Sequence, residues 1–341
     1  MAQPPKPAAT TPPGGAPPAA TTAAAPAAPA PTQVPAAAKP AGTPKPGGVL
    51  RIGGETDFAD LDPHTARVGW DINMMQNVYS GLVRAGQDLL PTPDLATEWQ
   101  FTDPQTLVFT LRQGVKFHNG RTLVADDVKY SLERLLDPNV PAGFASYIES
   151  VGSIEATDAT HVTLRLKRAD AAIVNNLAMP TMAIVAREAV EPQPVGLKNT
   201  MMGTGPFKFK EFIPGQKLVL VKNPDYFVAG QPLLDELDFI PLSDETARTN
   251  ALRSGEVDYI EPAAPKHVQS LRSDRTLQVS GGPNLSFVGI SLNTTRKPFD
   301  DQRVRQALAY AIGRDEVIQK AFEGFAQPLW GPPLIPPYWA G

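Results

Sequence analysis

The chain has 341 residues, a formal charge of −4 and a pI near 5.7, with 37 Pro and no Cys. The lack of a basic excess argues against a nucleic-acid-binding protein, because such proteins depend on Lys and Arg to neutralise phosphates. The absence of Cys excludes disulfides, thiolate zinc sites and a cysteine nucleophile. The sequence has no run of 18 apolar residues, so no transmembrane helix is predicted.

The composition of the N-terminal segment differs sharply from that of the rest. Residues 1–46 contain 14 Pro and 16 Ala but no Asp, Glu or aromatic residue. Such a segment buries too little surface to offset the entropy of ordering, so we predict a disordered Pro/Ala-rich tether. Its first residues lack the charged and apolar regions of a signal peptide. Two alternatives therefore remain: the protein is cytosolic, or it is exported and its leader has been removed.

The first half of the remaining chain predicts strands and helices in alternation. A strand at residues 49–52 ends at Gly53 and Gly54, and Asp62 with Pro63 predicts the start of a helix. Apolar residues recur at helical spacing over 71–82. Further predicted elements are a strand at 106–112, a helix from Asp126 to Asp137, and a strand at 161–166.

A second block rich in strands follows Met202. Residues 207–212 and 218–221 predict a hairpin across a Pro-Gly turn, and a strand follows at 237–240. Ser243 is a candidate N-cap for a helix that ends near Gly255. After these come a strand at 287–292, a helix capped by Asp300 or Asp301, and a last helix from Asp315 to Gly324. The mixture indicates an α/β or α+β protein.

The sequence contains no recognisable catalytic motif. Its four His are isolated from one another, so no helical or strand metal site is predicted. Residues 203–208 resemble a phosphate loop, but Pro206 and the following strand favour a turn. Residues 289–293 miss the nucleophile-elbow pattern at the last position. The carboxylates are explained by helix caps and solvated surfaces, so a binding function is favoured over catalysis.

Six segments, taken together and in order, resemble the family 5 solute-binding proteins of ABC importers, the dipeptide/oligopeptide/nickel-binding group. They are Leu-Asp-Pro-His at 61–64, residues 95–99 with 109–120, Ala-Asp-Asp-Val at 125–128 within 125–134, residues 203–207 with 223–226, residues 252–258, and residues 292–295 with 297–308. Most of these segments have structural explanations, so they identify a fold rather than a ligand.

The resemblance implies an α/β fold of the periplasmic-binding-protein type II kind, a two-lobed clamp with an inserted subdomain. Lobe I is expected at residues 47–75 and 203–283, the inserted subdomain at 76–202, and lobe II at 284–341. Family members continue further, so we expect the second lobe to be incomplete and the chain to be a fragment that binds ligand poorly. The resemblance also implies that the protein is located in the periplasm or anchored at the cell surface, and that it is a monomer.

The implied function is capture of a peptide or similar small solute in the cleft and delivery to ABC permease subunits in the membrane, without a cofactor or metal. In relatives the loop after the first strand lines the cleft. The expected ligand contacts are Glu55, Thr56, Asp57 and Phe58, together with Asn284, Leu285 and Ser286 where the chain enters lobe II. Trp70 is expected in the core. A ligand-sensing or chaperone-like module on the same fold and a carboxylate-based hydrolase remain as alternatives.

Overall fold

The computed structural model of the chain describes residues 44–192, 197, 199–281 and 288–329. All of them fall in one of the two units into which the chain divides, Ala41–Gly341. The predicted tether lies outside the described residues except for its last three. None of the helices in the described part is both long and apolar enough to cross a membrane.

Strands and helices alternate along the described chain. The strands are β1 (Val49–Gly54), β2 (Val83–Ala85), β3 (Pro91–Pro93), β4 (Ala96–Asp103), β5 (Thr106–Leu111), β6 (Val151–Ala156), β7 (His161–Leu166), β8 (Phe207–Ile213), β9 (Lys217–Lys222), β10 (Glu236–Pro241) and β11 (Tyr259–Glu261). The α-helices are α1 (Gly69–Met75), α2 (Ala125–Leu136), α3 (Ile173–Leu177), α4 (Arg187–Val190), α5 (Glu245–Ser254), α6 (Pro265–Ser273), α7 (Gln302–Ala311) and α8 (Arg314–Ala321). Short 3-10 turns lie at Ala145–Ile148 and Pro180–Met182.

A five-stranded sheet joins the first strand to the later part of the chain. Its order is β11-β1-β10-β9-β8, and β1 runs parallel to both of its neighbours. The predicted hairpin is confirmed, because β8 and β9 pair antiparallel across a turn where Gly215 has a φ of 74°. Apolar side chains on one face, among them Ile52, Leu220 and Phe239, form a core with residues of α1.

A four-stranded antiparallel sheet, ordered β4-β5-β7-β6, is built entirely from the middle of the chain. Alternate residues of β5 are buried, and α2 packs against β6 and β7. The apolar face predicted for α2 is confirmed by the burial of Val128, Leu132 and Leu135. This sheet and helix form a second core, which is distinct from that of the five-stranded sheet.

The helix predicted over 71–82 is wrong in length, since α1 ends at Met75. The chain then leaves the helix and pairs with the segment before β8: Gly205 donates to the carbonyl of Val78, and Phe207 donates to that of Asn77, both at 2.9 Å. A Cβ on Gly205 would lie 2.6 Å from the Val78 carbonyl carbon, so this crossing requires glycine. Tertiary hydrogen bonds therefore override the helical periodicity.

Three other predictions are corrected. Asp62 does not cap a helix; its side chain accepts a hydrogen bond from the His64 amide within a turn. The N-cap of α5 is Asp244, whose carboxylate accepts from the Ala247 amide at 2.7 Å, rather than Ser243. Residues 288–292 form no strand with the other described residues. Of the two caps predicted for α7, Asp300 or Asp301, the structure has Asp301.

A buried ion pair connects the loop after β1 to the four-stranded layer. Arg134 on α2 donates to both carboxylate oxygens of Asp62, at 3.0 and 2.6 Å, and to Nδ1 of His64 at 2.8 Å. A guanidinium has only donors, so Nδ1 of His64 is the acceptor and Nε2–H donates to the carbonyl of Ala183, 2.8 Å away. The network thus fixes three distant chain segments together.

Burial and the neighbouring charge shift the pKa of Asp62 in opposite directions. Burial alone would raise the pKa of Asp62, but the hydrogen bonds and charge of Arg134 outweigh it, so the pKa of Asp62 is lowered. Burial lowers the pKa of His64 to about 4, which keeps the ring neutral. Neutral His64 is the form that accepts from Arg134, so protonation state and geometry agree.

Replacement of Arg134 by Leu is expected to lower the free energy of unfolding by about 3–5 kcal/mol, because it leaves the buried Asp62 charge without its partner. The matched control is Arg165→Leu, which removes an exposed pair with Glu155 and should change the free energy of unfolding far less. Urea unfolding monitored by circular dichroism measures both. Equal losses for the two variants would contradict the assignment.

Candidate functional site at the carboxyl edge of the parallel strands

The three parallel strands end at one edge of the five-stranded sheet. Gly54 at the end of β1 pairs with Pro241 of β10 on one side and with Glu261 of β11 on the other. In open α/β sheets, ligands bind outside the carboxyl ends of parallel strands. We call this region the carboxyl edge; it comprises the loops that follow β1, β10 and β11.

The loop after β1, residues 55–60, carries four of the predicted ligand contacts and is called the edge loop. Glu55 and Thr56 are exposed directly after Gly54. Asp57 is exposed, but its carboxylate accepts from the Gly215 amide at 2.6 Å and from the Phe58 amide at 2.9 Å. The edge loop is therefore fixed to the tip of the β8–β9 hairpin, and Glu55 and Thr56 remain at the surface.

Phe58, by contrast, points into the core. Its ring stacks on Trp70 at a centroid distance of 5.9 Å and meets Phe212 and Phe239 edge-on at 6.2 and 5.9 Å. Only 6% of Phe58 is exposed. The structure gives this side chain a packing role, and its predicted contact with a ligand stays a prediction. The expectation that Trp70 is a core residue is confirmed, since it is 9% exposed.

Trp70 covers the end of β1. A Cβ on Gly54 would overlap the benzene part of the Trp70 ring, so the close approach requires glycine at this position. Buried Nε1 of Trp70 has no hydrogen-bond partner among the described residues. The indole thus packs against the end of β1, where the edge loop begins.

Asp71, on the first turn of α1, holds the other end of the edge loop. Its Oδ2 accepts from the Ala59 amide at 3.3 Å, while its buried Oδ1 has no hydrogen-bond partner among the described residues. Burial raises the pKa of Asp71 to about 6, the backbone amides of Ala59 and Asp60 act in the opposite direction, and the charges of Asp60 and Asp57 add to the increase. Sequence reasoning missed this role, since an acidic residue at the start of a helix also suits the helix dipole.

Arg248 joins the other two loops of the carboxyl edge. This buried side chain of α5 donates to the carbonyl of Leu242 after β10 at 2.6 Å, and to that of Pro262 after β11 at 3.3 Å. Between these loops Glu261 and Tyr259 are exposed, and the Tyr259 hydroxyl donates to the Glu261 carboxylate at 3.3 Å. The edge therefore presents two exposed carboxylates, those of Glu55 and Glu261.

The other three predicted contacts, Asn284, Leu285 and Ser286, lie outside the described residues. No cluster of His, Asp and Glu suited to a metal ion occurs within the described ranges. Two polar surface cavities, of about 330 and 360 Å³, lie away from the carboxyl edge. One includes Tyr147 and Arg168, and the other is lined by the salt-bridged Arg121, Asp127 and Glu188 with their neighbours.

Comparison with known proteins finds relatives of this chain among binding proteins. The family model for bacterial extracellular solute-binding proteins, family 5 Middle, matches residues 91–341. The glutathione-binding protein GsiB of Pectobacterium atrosepticum is 31% identical over 285 residues, which is 83% of this chain and 55% of that protein. The chain thus spans about half the length of this curated relative.

Solved structures agree in fold. The binding protein AgaA of A. tumefaciens R10, in complex with agropinic acid, has a TM-score of 0.78 at 33% identity and covers 85% of this chain and 59% of its own. The binding protein DppA of Helicobacter pylori, in complex with the peptide STSA, has a TM-score of 0.75 at 28% identity, over 84% and 60%. The predicted α/β fold of the periplasmic binding proteins is confirmed.

Replacement of Gly54 by Ala is expected to displace the Trp70 ring from the end of β1 and to lower stability by about 1–3 kcal/mol through overpacking. In a background whose other three Trp are Phe, the emission of Trp70 should shift to longer wavelength. Gly53→Ala is the control, because its Cβ would meet side-chain atoms of Leu242, Ile260 and Val257 at 3.2–3.5 Å and would not overlap a ring. Unchanged emission in Gly54→Ala would show that Trp70 does not depend on this glycine.

Proposed function

Since the chain belongs to the bacterial extracellular solute-binding proteins of family 5, we propose that the protein is the extracytoplasmic solute-binding component of an ABC import system. In this role it captures a peptide or similar small solute in a cleft between two lobes and delivers it to permease subunits in the membrane. The observation that carries the proposal is the carboxyl edge, where the ends of three parallel strands present the exposed carboxylates of Glu55 and Glu261 close to the Trp70 ring.

The named relatives bind small solutes of different kinds: glutathione, agropinic acid and a peptide. These names describe the relatives, and they support a small polar solute as the ligand class here. They also favour binding over catalysis, in agreement with a sequence that lacks a recognisable catalytic motif. We propose accordingly that the protein breaks no bond in its ligand.

The proposed lobe I combines residues 47–75 with 203–283, and the proposed inserted subdomain is 76–202. In support, the five-stranded sheet takes its strands from the two outer ranges, and the four-stranded sheet lies wholly within the middle range. Residues 284–341 are proposed to begin lobe II. Closure of such a clamp is favoured only when a ligand contacts both lobes at once, which links binding to recognition by the permease.

Within lobe I we propose Glu55 as the principal ligand contact of the edge loop, with Thr56 beside it. The exposed Glu55 carboxylate would accept hydrogen bonds from an amine of the ligand, an interaction that is stronger when the donor is charged. Asp57 would act by holding the loop to Gly215. The contacts proposed for residues 284–286 would come from the opposite side of the cleft.

The proposal is tested by thermal-shift and calorimetric screening of the full-length gene product. The panel contains di- and oligopeptides, glutathione, sugar acids and nickel complexes. A saturable rise in melting temperature with one class, and a binding heat that fits one site, is the expected result. A protein that binds no member of the panel but turns over a substrate would contradict it.

For a ligand found in that screen, Glu55→Gln is expected to weaken binding about tenfold, which corresponds to about 1.4 kcal/mol. The change removes the charge but keeps the size of the side chain. Glu98→Gln is the matched control, since Glu98 is also exposed but lies on β4 of the four-stranded sheet. Calorimetric titration of the three proteins measures the difference. Equal affinities for wild type and Glu55→Gln would remove Glu55 from the site.

A further inference from the structure

One buried carboxyl group lies directly under the edge loop and is only half satisfied. Asp71 is fully buried, and its Oδ2 accepts from the Ala59 amide of the loop at 3.3 Å. Its Oδ1 is also buried and has no hydrogen-bond partner among the described residues. A buried carboxylate oxygen without a donor is costly, and the cost disappears if that oxygen carries a proton.

We propose that Asp71 is a positioning residue, which holds the edge loop closed while its carboxyl group is protonated and lets the loop open when the proton is lost. The link from loop to ligand rests on the proposed function, whereas the latch itself does not. Protonation at Oδ1 leaves Oδ2 free to accept from Ala59, so the contact survives in the neutral form. Loss of the proton creates a buried charge, and opening of the loop brings that charge to water.

The charged groups around Asp71 favour its neutral form. Those that act on it are Asp57 and Asp60 of the edge loop, both acidic; the backbone amides of Ala59 and Asp60 favour the charged form but only partly offset the effect of burial. The 3-10 turn Pro180–Met182, which packs against α1, has no titratable side chain. The basic groups of the elements nearby are engaged elsewhere: Arg51 of β1 pairs with Asp258 at 2.9 Å, and Lys217 of β9 pairs with Glu211 at 2.6 Å.

The size of the effect follows from the two protonation equilibria. In the closed loop the pKa of Asp71 is about 6, and in the open loop, where water reaches the group, it returns to its ordinary value of 3.8. The closed form therefore holds its proton more tightly, and opening becomes easier as the pH rises. Between pH 5 and pH 8 these two values give a rise of about tenfold in the opening constant, with a plateau above pH 7.

Hydrogen exchange of the Ala59 amide tests the latch directly, without any ligand. The 341-residue chain is measured from pH 5 to pH 8, with correction for the chemical exchange rate. Wild type should show the tenfold rise, and Asp71→Asn, which retains an acceptor but cannot titrate, should stay level within about twofold. The matched control is Asp94→Asn, since burial also raises the pKa of Asp94 to about 6 but its carboxylate accepts from Gly81. This control should keep the full rise at Ala59.

The proposal would be overturned if the exchange rate of the Ala59 amide rose with pH as much in Asp71→Asn as in wild type. It would also be overturned if that rate did not change with pH in wild type. If Asp71→Asn does not fold, the profiles of wild type and Asp94→Asn still decide, because a level profile at Ala59 in both excludes a latch. A rise that disappears in Asp94→Asn would assign the effect to the wrong carboxyl group and would also overturn it. Failure of the ligand screen would leave these exchange profiles unchanged, so the two proposals fail separately.

Discussion

The buried pairing of Arg134 with Asp62 and His64 is the constraint on which the arrangement of the two sheets depends. Three charged or polar side chains leave water together, and only their mutual hydrogen bonds make this tolerable. Since the partners come from α2, from the loop after β1 and, through Ala183, from a third segment, their geometry permits one relative position of these elements. The edge loop begins seven residues before Asp62, so its position follows from the same network.

The carboxyl edge is shaped by close packing in two places. Gly54 admits the Trp70 ring at the end of β1, and Gly205 admits the backbone of Val78 beside the start of β8. The first contact packs α1 against the five-stranded sheet, and the second packs the segment that follows α1 against it. Polar groups of the edge loop are then satisfied by neighbours on either side, namely Gly215 and Asp71. The loop that carries the exposed Glu55 is therefore held by hydrogen bonds on both sides.

Sequence reasoning found β5, β8 and α2 because their local patterns are clear, and burial follows the pattern in β5 and α2. In β8 the sequence alternates but only Phe207 is buried. It extended α1 too far because Val78, Tyr79 and Leu82 are buried by tertiary pairing rather than on a helix. It placed the edge loop at the carboxyl edge through a family resemblance. It did not find Asp71 or Arg248, since their partners are backbone groups distant in sequence, which no local pattern records.

Four buried groups give the fold an unusual relation to acidity. Burial lowers the pKa of His64 and His118 to about 4, so both give up protons on folding in mildly acid solution. Burial raises the pKa of Asp71 and Asp94 to about 6, so both take up protons on folding. Between about pH 4 and pH 6 the histidines make stability increase with pH and the aspartates make it decrease, by similar amounts. Between those pH values the protons that the two aspartates take up on folding offset those that the two histidines release, so these four groups together make stability depend only weakly on pH.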